Sequence, residues 1–171
     1  MAGWRFWPLR FPLVIFKKRV AGLTPPALSR FLARARRAVG LQGSVDVLVT
    51  TNAQMRSLNG RFRKKEEPTD VLSFSAGPES AAKFAGEIAI SATMAAENAR
   101  LFGHPVSQEI KILVLHGVLH LRGYDHERDH GQMGRRELEL RRALGLPLGL
   151  IERTAFRSRR GFPLDQGRGR P

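Results

Sequence analysis

Apolar residues recur along this chain with two periods, and the switches between them mark out its elements. Leu28, Phe31, Leu32, Ala35 and Val39 fall three or four apart, the spacing of one helix face, while Arg30, Arg34, Arg36 and Arg37 fall on the other. Thr24 stands where a cap belongs, Pro25 at the first helical position and Gly40 where the helix closes. Val45, Val47 and Val49 then alternate with Asp46, Leu48 and Thr50, which predicts a strand. Asn52 is placed to cap a short helix with Met55 and Leu58 inward, and the polar, basic segment 60–68 reads as a loop. It leads into two runs of β-forming residues, 69–74 and 86–91, separated by a stretch containing Gly77, Pro78 and Gly86, so a hairpin with a long loop is expected.

Helical spacing returns after Ser91, which can cap a helix running through Met94, Leu101 and Phe102 to Gly103. Ser107 starts the next. Its apolar positions Ile110, Ile112, Leu113, Val114, Leu115, Val118, Leu119 and Leu121 lie nearly all round, the mark of a central, buried helix. Asp129 is placed to cap a last helix carrying Met133, Leu140 and Leu144 and closed by Gly145. Residues 1–23 are an aromatic, basic arm, read as a peripheral strand or a loose attachment. Its apolar part is broken by Pro8, Arg10 and Pro12, is about half the roughly 20 residues a membrane span needs, and precedes Lys17-Lys18-Arg19 instead of a cleavage site. Residues 156–171 are rich in Arg, Gly and Pro and are expected to be disordered. The pattern therefore gives an arm at 1–23, one domain at 24–155 and a tail at 156–171, in a chain of 171 residues long enough to bury a core.

The buried helix ends in His116-Gly117-Val118-Leu119-His120-Leu121-Arg122-Gly123-Tyr124-Asp125-His126, which holds three of the five histidines. His116 and His120 are four apart, so on a helix they stack on one face and reach a common point. Gly123 can take the left-handed conformation that ends a helix and returns His126 to that point. Three imidazoles with a fourth position open are the arrangement of a catalytic zinc site, whereas structural zinc is closed by four ligands. Imidazole also suits copper, nickel and iron, and zinc is the first expectation. The long peptidase motif H-E-x-x-H-x-x-G-x-x-H has the same spacing, but its general-base Glu is here Gly117. A phosphodiester fits better, because phosphoryl transfer relies on positioning and on charge stabilisation by metal and cations.

Charge points the same way. Twenty-nine Lys and Arg against 15 Asp and Glu give a net charge of +14, which favours polyanions. The excess is polarised, since no Asp or Glu precedes Asp46. With no cysteine, disulfides and Cys-type zinc ribbons are excluded, and any metal must rest on His and carboxylates, as suits a cytoplasmic protein.

These residues carry a resemblance. The run His116 to His126, preceded by Leu58-Asn59-x-x-Phe62-Arg63 and by Pro68-Thr69-Asp70-Val71-Leu72-Ser73-Phe74, resembles the YbeY family of bacterial zinc endoribonucleases over roughly residues 45–146. The resemblance implies a single-domain α+β fold, with a small mixed sheet packed with helices and the metal site at the end of the buried central helix. It implies one Zn2+ on His116, His120 and His126, and cleavage of single-stranded RNA in maturing the 3′ end of small-subunit ribosomal RNA and in ribosome quality control. The partners implied are rRNA and the small ribosomal subunit, with no DNA or membrane. Arg63 matches the arginine important for cleavage, and its planar fork of donors suits a scissile phosphate. Asp70 is a candidate to hold a metal-bound water or to cap a turn, and Asp125 to orient an imidazole. Two other readings compete: an RNA- or ribosome-binding assembly factor with structural zinc, and a metallopeptidase. The first 44 residues and the Arg-rich tail are richer in aromatic and basic residues than the family pattern.

Overall fold

The structure, a computed structural model, describes residues 12–126 and 128–147. Expectations for residues 1–11 and for the tail at 156–171 lie outside the described residues. The first described strand, β1 (Val14–Phe16), belongs to the stretch read as an arm. It pairs in parallel with β2 (Ser44–Thr50), Val14 opposite Val47, so this part of the arm is an edge strand of the sheet. Between them α1 (Pro25–Val39) carries the predicted stripe: Leu28, Phe31, Leu32, Ala35 and Val39 are all buried. Thr24 caps it, its hydroxyl accepting from the Ala27 N–H, and Gly40 closes it in the left-handed conformation.

Four strands form one mixed sheet in the order β1-β2-β4-β3. The expected hairpin is the antiparallel pair β3 (Val71–Ser75) and β4 (Phe84–Ser91), and β4 also lies parallel to β2. Val45, Val47, Val49, Ile88 and Ile90 share one buried cluster with α1 and with the central helix α4 (Val106–Leu121). Leu72 and Ala89 instead pack against Met55 and Leu58 of α2 (Asn52–Arg63). The sheet thus lies between helices, and α4 is buried along most of its length, as its all-round apolar pattern predicts. The helices α3 (Ala92–Phe102) and α5 (Gln132–Leu144) pack against α4. No described helix is long and apolar enough to cross a membrane.

Three helix starts differ from the sequence expectation. Thr51, not Asn52, caps α2, its hydroxyl accepting from the Gln54 N–H. The Asn52 amide oxygen accepts instead from the Ser91 hydroxyl, which ties α2 to the end of β4. α4 starts at Val106, one residue before Ser107, and has no side-chain cap. Gly131 is the cap residue of α5, yet the Asp129 carboxylate accepts from the N–H groups of Gly131 and Met133, so Asp129 still satisfies the first turn. The loop expected at 60–68 begins later: α2 continues to Arg63, and Lys64 terminates it at φ 57°. Its last turn is held from outside, since the Asn59 side chain donates to the Glu67 carbonyl at 2.7 Å.

Candidate metal centre

The centre grows out of the C-terminal end of α4. Leu113, Val114, Leu115, Val118 and Leu119 are buried round the helix and fix its rotation, so the remaining positions point where packing sends them. Gly117 faces the sheet. A Cβ there would lie 2.8 Å from Ile88 Cδ1, closer than real Cβ atoms come, and a tight 3.0 Å from Ser73 Oγ. The position that holds Glu in the peptidase pattern is therefore packed against the Ile88 and Ser73 side chains of β4 and β3, and a longer side chain there has to displace them.

His116 and His120 stand on successive turns, their Nε2 atoms 3.0 Å apart. Beyond Leu121 the backbone reverses: the Gly123 N–H donates to the His120 carbonyl and the Tyr124 N–H to that of Leu119, with Gly123 at φ 103°. The turn predicted from Gly123 thus forms, and it brings the His126 ring to 5.4 Å from both other rings. One nitrogen from each of the three lies within 4.8 Å of the others. A tetrahedral ion bound at 2.0–2.1 Å asks for nitrogens roughly 3.3 Å apart, so small ring rotations suffice and the donor set fits a metal. His116 is buried, His120 half-buried and His126 exposed, so the cluster opens towards solvent on one side.

Electrostatics prepare the ligands. Burial and then the neighbouring His116 and His126 push the His120 imidazole down to about 4, so it is neutral and its lone pair available at physiological pH. The Nδ1 of His116 lies 3.1 Å from the Glu137 carboxylate of α5, which is 1 % exposed. That contact assigns the ring proton to Nδ1 and turns Nε2 into the centre. Glu137 is the functional residue that the sequence reading passed over. Its signal was present: it sits within the apolar stripe of Met133, Leu140 and Leu144, where a carboxylate has no place unless it is paired.

The other candidates are spread out. Asp70 lies just before β3, its carboxylate 3.4 Å from the Asn98 amide of α3 and from the Thr69 hydroxyl. Asp125 lies near enough for its negative charge to act on His120, and it meets Arg128 at 3.6 Å. Glu137 places a carboxylate on an imidazole of the centre. Arg63 is exposed on the last turn of α2, and among the described residues no hydrogen bond or ion pair joins it to the three histidines.

Comparison with known proteins gives one consistent answer. Residues 17–145 match the YbeY family, described as endoribonuclease YbeY. An endoribonuclease YbeY of Koribacter versatilis is 53% identical over 142 residues, covering 83% of this chain and 91% of that one. Another, of Solibacter usitatus, is 49% identical over 141 residues, covering 82% and 93%. A solution structure of a Thermotoga maritima protein matches with a TM-score of 0.53 at 26% identity, over 92% of this chain and all of that one. With the family spanning most of the chain and its three histidines gathered at one point, the protein belongs to the YbeY family of endoribonucleases, hydrolases of RNA phosphodiester bonds.

Proposed function

We propose that the protein is a zinc-dependent, single-strand-specific endoribonuclease of the cytoplasm that acts in maturing the 3′ end of small-subunit ribosomal RNA and in ribosome quality control. The observation that carries this reading is the open three-histidine cluster with Gly117, packed against Ile88 and Ser73, where a peptidase has its general-base Glu. His116, His120 and His126 hold the ion. When bound, zinc supplies Lewis-acid stabilisation of charge on oxygen. Glu137 holds the His116 ring in the tautomer that presents Nε2. Arg63 brings a bidentate cation to the phosphate as negative charge builds in the transition state. Asp125 adds a negative charge beside His120, and Asp70 serves the turn into β3. The small ribosomal subunit is the proposed partner, and the net charge of +14 supports binding to its RNA.

The test is cleavage of a single-stranded RNA by wild type, His120→Ala and Arg63→Ala, with metal content measured on the same samples. Wild type is expected to carry about one zinc per chain, the count of a single three-ligand site, and to cut. His120→Ala should lose both metal and cleavage. Arg63→Ala should keep the metal and lose about a hundredfold or more in kcat, the scale of one charge-stabilising donor. Equal cutting by all three preparations would assign the activity to a contaminant and sink the reading.

A further inference from the structure

A cavity of about 370 Å³ lies at the C-terminal end of α4, the helix end that also carries the histidine cluster. Leu121 and Arg122, the two residues after His120, form one wall, Leu41 after α1 another, and Ser75, Ala81 and Ala82 of the β3–β4 hairpin the third. Its size is in the range of small-ligand sites. We propose that it is a nucleobase subsite, taking the base of a nucleotide next to the scissile phosphate; this rests on the endoribonuclease reading of the same centre.

The choice of a base follows from the charges around it. Two helices, α1 and α4, end at this cavity, and the partial negative charge of helix C-termini disfavours a phosphate inside it. A neutral base carrying amino donors suits the same field. Among the described lining residues Arg122 is the one charged side chain, and it is exposed. It is placed to meet the phosphate at the rim or to lay its guanidinium plane on the base, as arginine does with single-stranded RNA.

The walls add shape and hydrogen bonding. Leu121 is pinned against the hairpin, its Cδ2 lying 2.8 Å from where a Cβ on Gly86 would stand, so the apolar wall is held in place. The Ala76 N–H pairs with the Ala85 carbonyl, and the alternation of an antiparallel ladder turns the N–H and C=O of Ser75 outward. An exposed edge residue whose two groups take no partner from the described part of the sheet can pair with the edge of a base. Leu121 and Arg122 follow His120 directly in the chain, so the cavity and the histidine cluster share the C-terminal end of α4.

Ala82 is exposed, so a tryptophan there fills the cavity from its rim and leaves the core alone. Two readouts are required together. Uridine and adenosine, which carry no phosphate for a metal to bind, are titrated into the zinc-loaded protein while the amide resonances of Ala82, Leu121 and Arg122 are followed. Wild type should show saturable shifts, and Ala82→Trp should not. With a single-stranded oligoribonucleotide, Ala82→Trp should raise KM by about tenfold, within the range of one lost base stack, with kcat and zinc content little changed. Ala81→Trp, judged with thermal melting beside it, serves if the first variant fails to fold. Nucleosides that shift none of these amides, or a KM that the filled cavity leaves unchanged, overturn the proposal. If wild type itself does not cut RNA, the nuclease reading falls, and the nucleoside titration with the Kd of the oligoribonucleotide decides the cavity alone.

Discussion

The two ends of α4 each hold a histidine against a buried glutamate, and only one end is a candidate centre. Near the N-terminal end the His104 Nε2 lies 2.7 Å from Glu109, which is fully buried, and the His104 ring stacks on Phe102. Near the C-terminal end His116 lies 3.1 Å from Glu137. The second pair differs in what the other side of the ring meets. The Nε2 of His104 is taken up by the carboxylate, whereas that of His116 faces His120 and, across the cluster, His126. A histidine–carboxylate pair is thus a packing device by default. It becomes part of a centre when the second nitrogen is aimed at a point that other ligands share.

That contrast can be broken by substitutions at the two carboxylate contacts. The largest effect is expected for Glu137→Gln, which removes the charge behind His116 but keeps its shape. Zinc affinity should fall by about 10- to 100-fold by competition with a chelator, with little change in metal-free stability. His104→Ala should do the reverse. It takes a partner from buried Glu109 and should cost about 1–3 kcal/mol of stability in urea, with zinc stoichiometry unchanged. If His104→Ala emptied the metal site, the two ends would not be separable in this way.

Next comes Gly117, which ties the centre to the sheet. Gly117→Ala forces a methyl against Ile88 and Ser73 and should cost about 1–3 kcal/mol by overpacking, read as a lowered melting temperature. Gly117→Glu should be worse and should not gain peptidase activity. A stable, peptide-cutting Gly117→Glu variant would show that the sheet can yield and that the peptidase reading was closed too early.

The smallest effect is a pH dependence of the metal-free protein. His120 is held down to about 4, below its ordinary 6.5. Between those values the unfolded chain binds a proton there that the folded chain does not, so stability falls as pH is lowered through this window and levels off below it. Asp46 and Glu87 act with the opposite sign. Burial raises both, so their contribution is lost as pH rises through the carboxylate range. The difference between wild type and His120→Ala in urea midpoints at pH 5 and pH 7 isolates the histidine. No difference would mean that the folded ring titrates like a free one.

Local patterns account for what was legible without the structure. The stripe of α1 and its two caps, the alternation of β2 and the all-round apolar α4 depend on neighbours one to four residues apart, and the hairpin of β3 with β4 on two β-forming runs either side of a Gly- and Pro-containing stretch. The gathering of His116, His120 and His126 was legible for the same reason, because one helical turn and one glycine turn suffice to bring them together. The length of α2, and with it the place of Arg63 on a helix and not in a loop, was not, because Asn59 is held by the distant Glu67 carbonyl.

What only the tertiary structure decided lies in pairings across long stretches of chain. Glu137 reaches His116 across 21 residues, Asn52 is claimed by Ser91 across 39, and Gly117 is confined by Ile88 and Ser73 of other strands. The cavity likewise needs the ends of α1 and α4 and the hairpin side by side. Spacing along a chain determines which side chains share a face. Which face meets which is determined by burying all of them at once, and that choice placed a carboxylate behind one ligand and a wall of strands beside it.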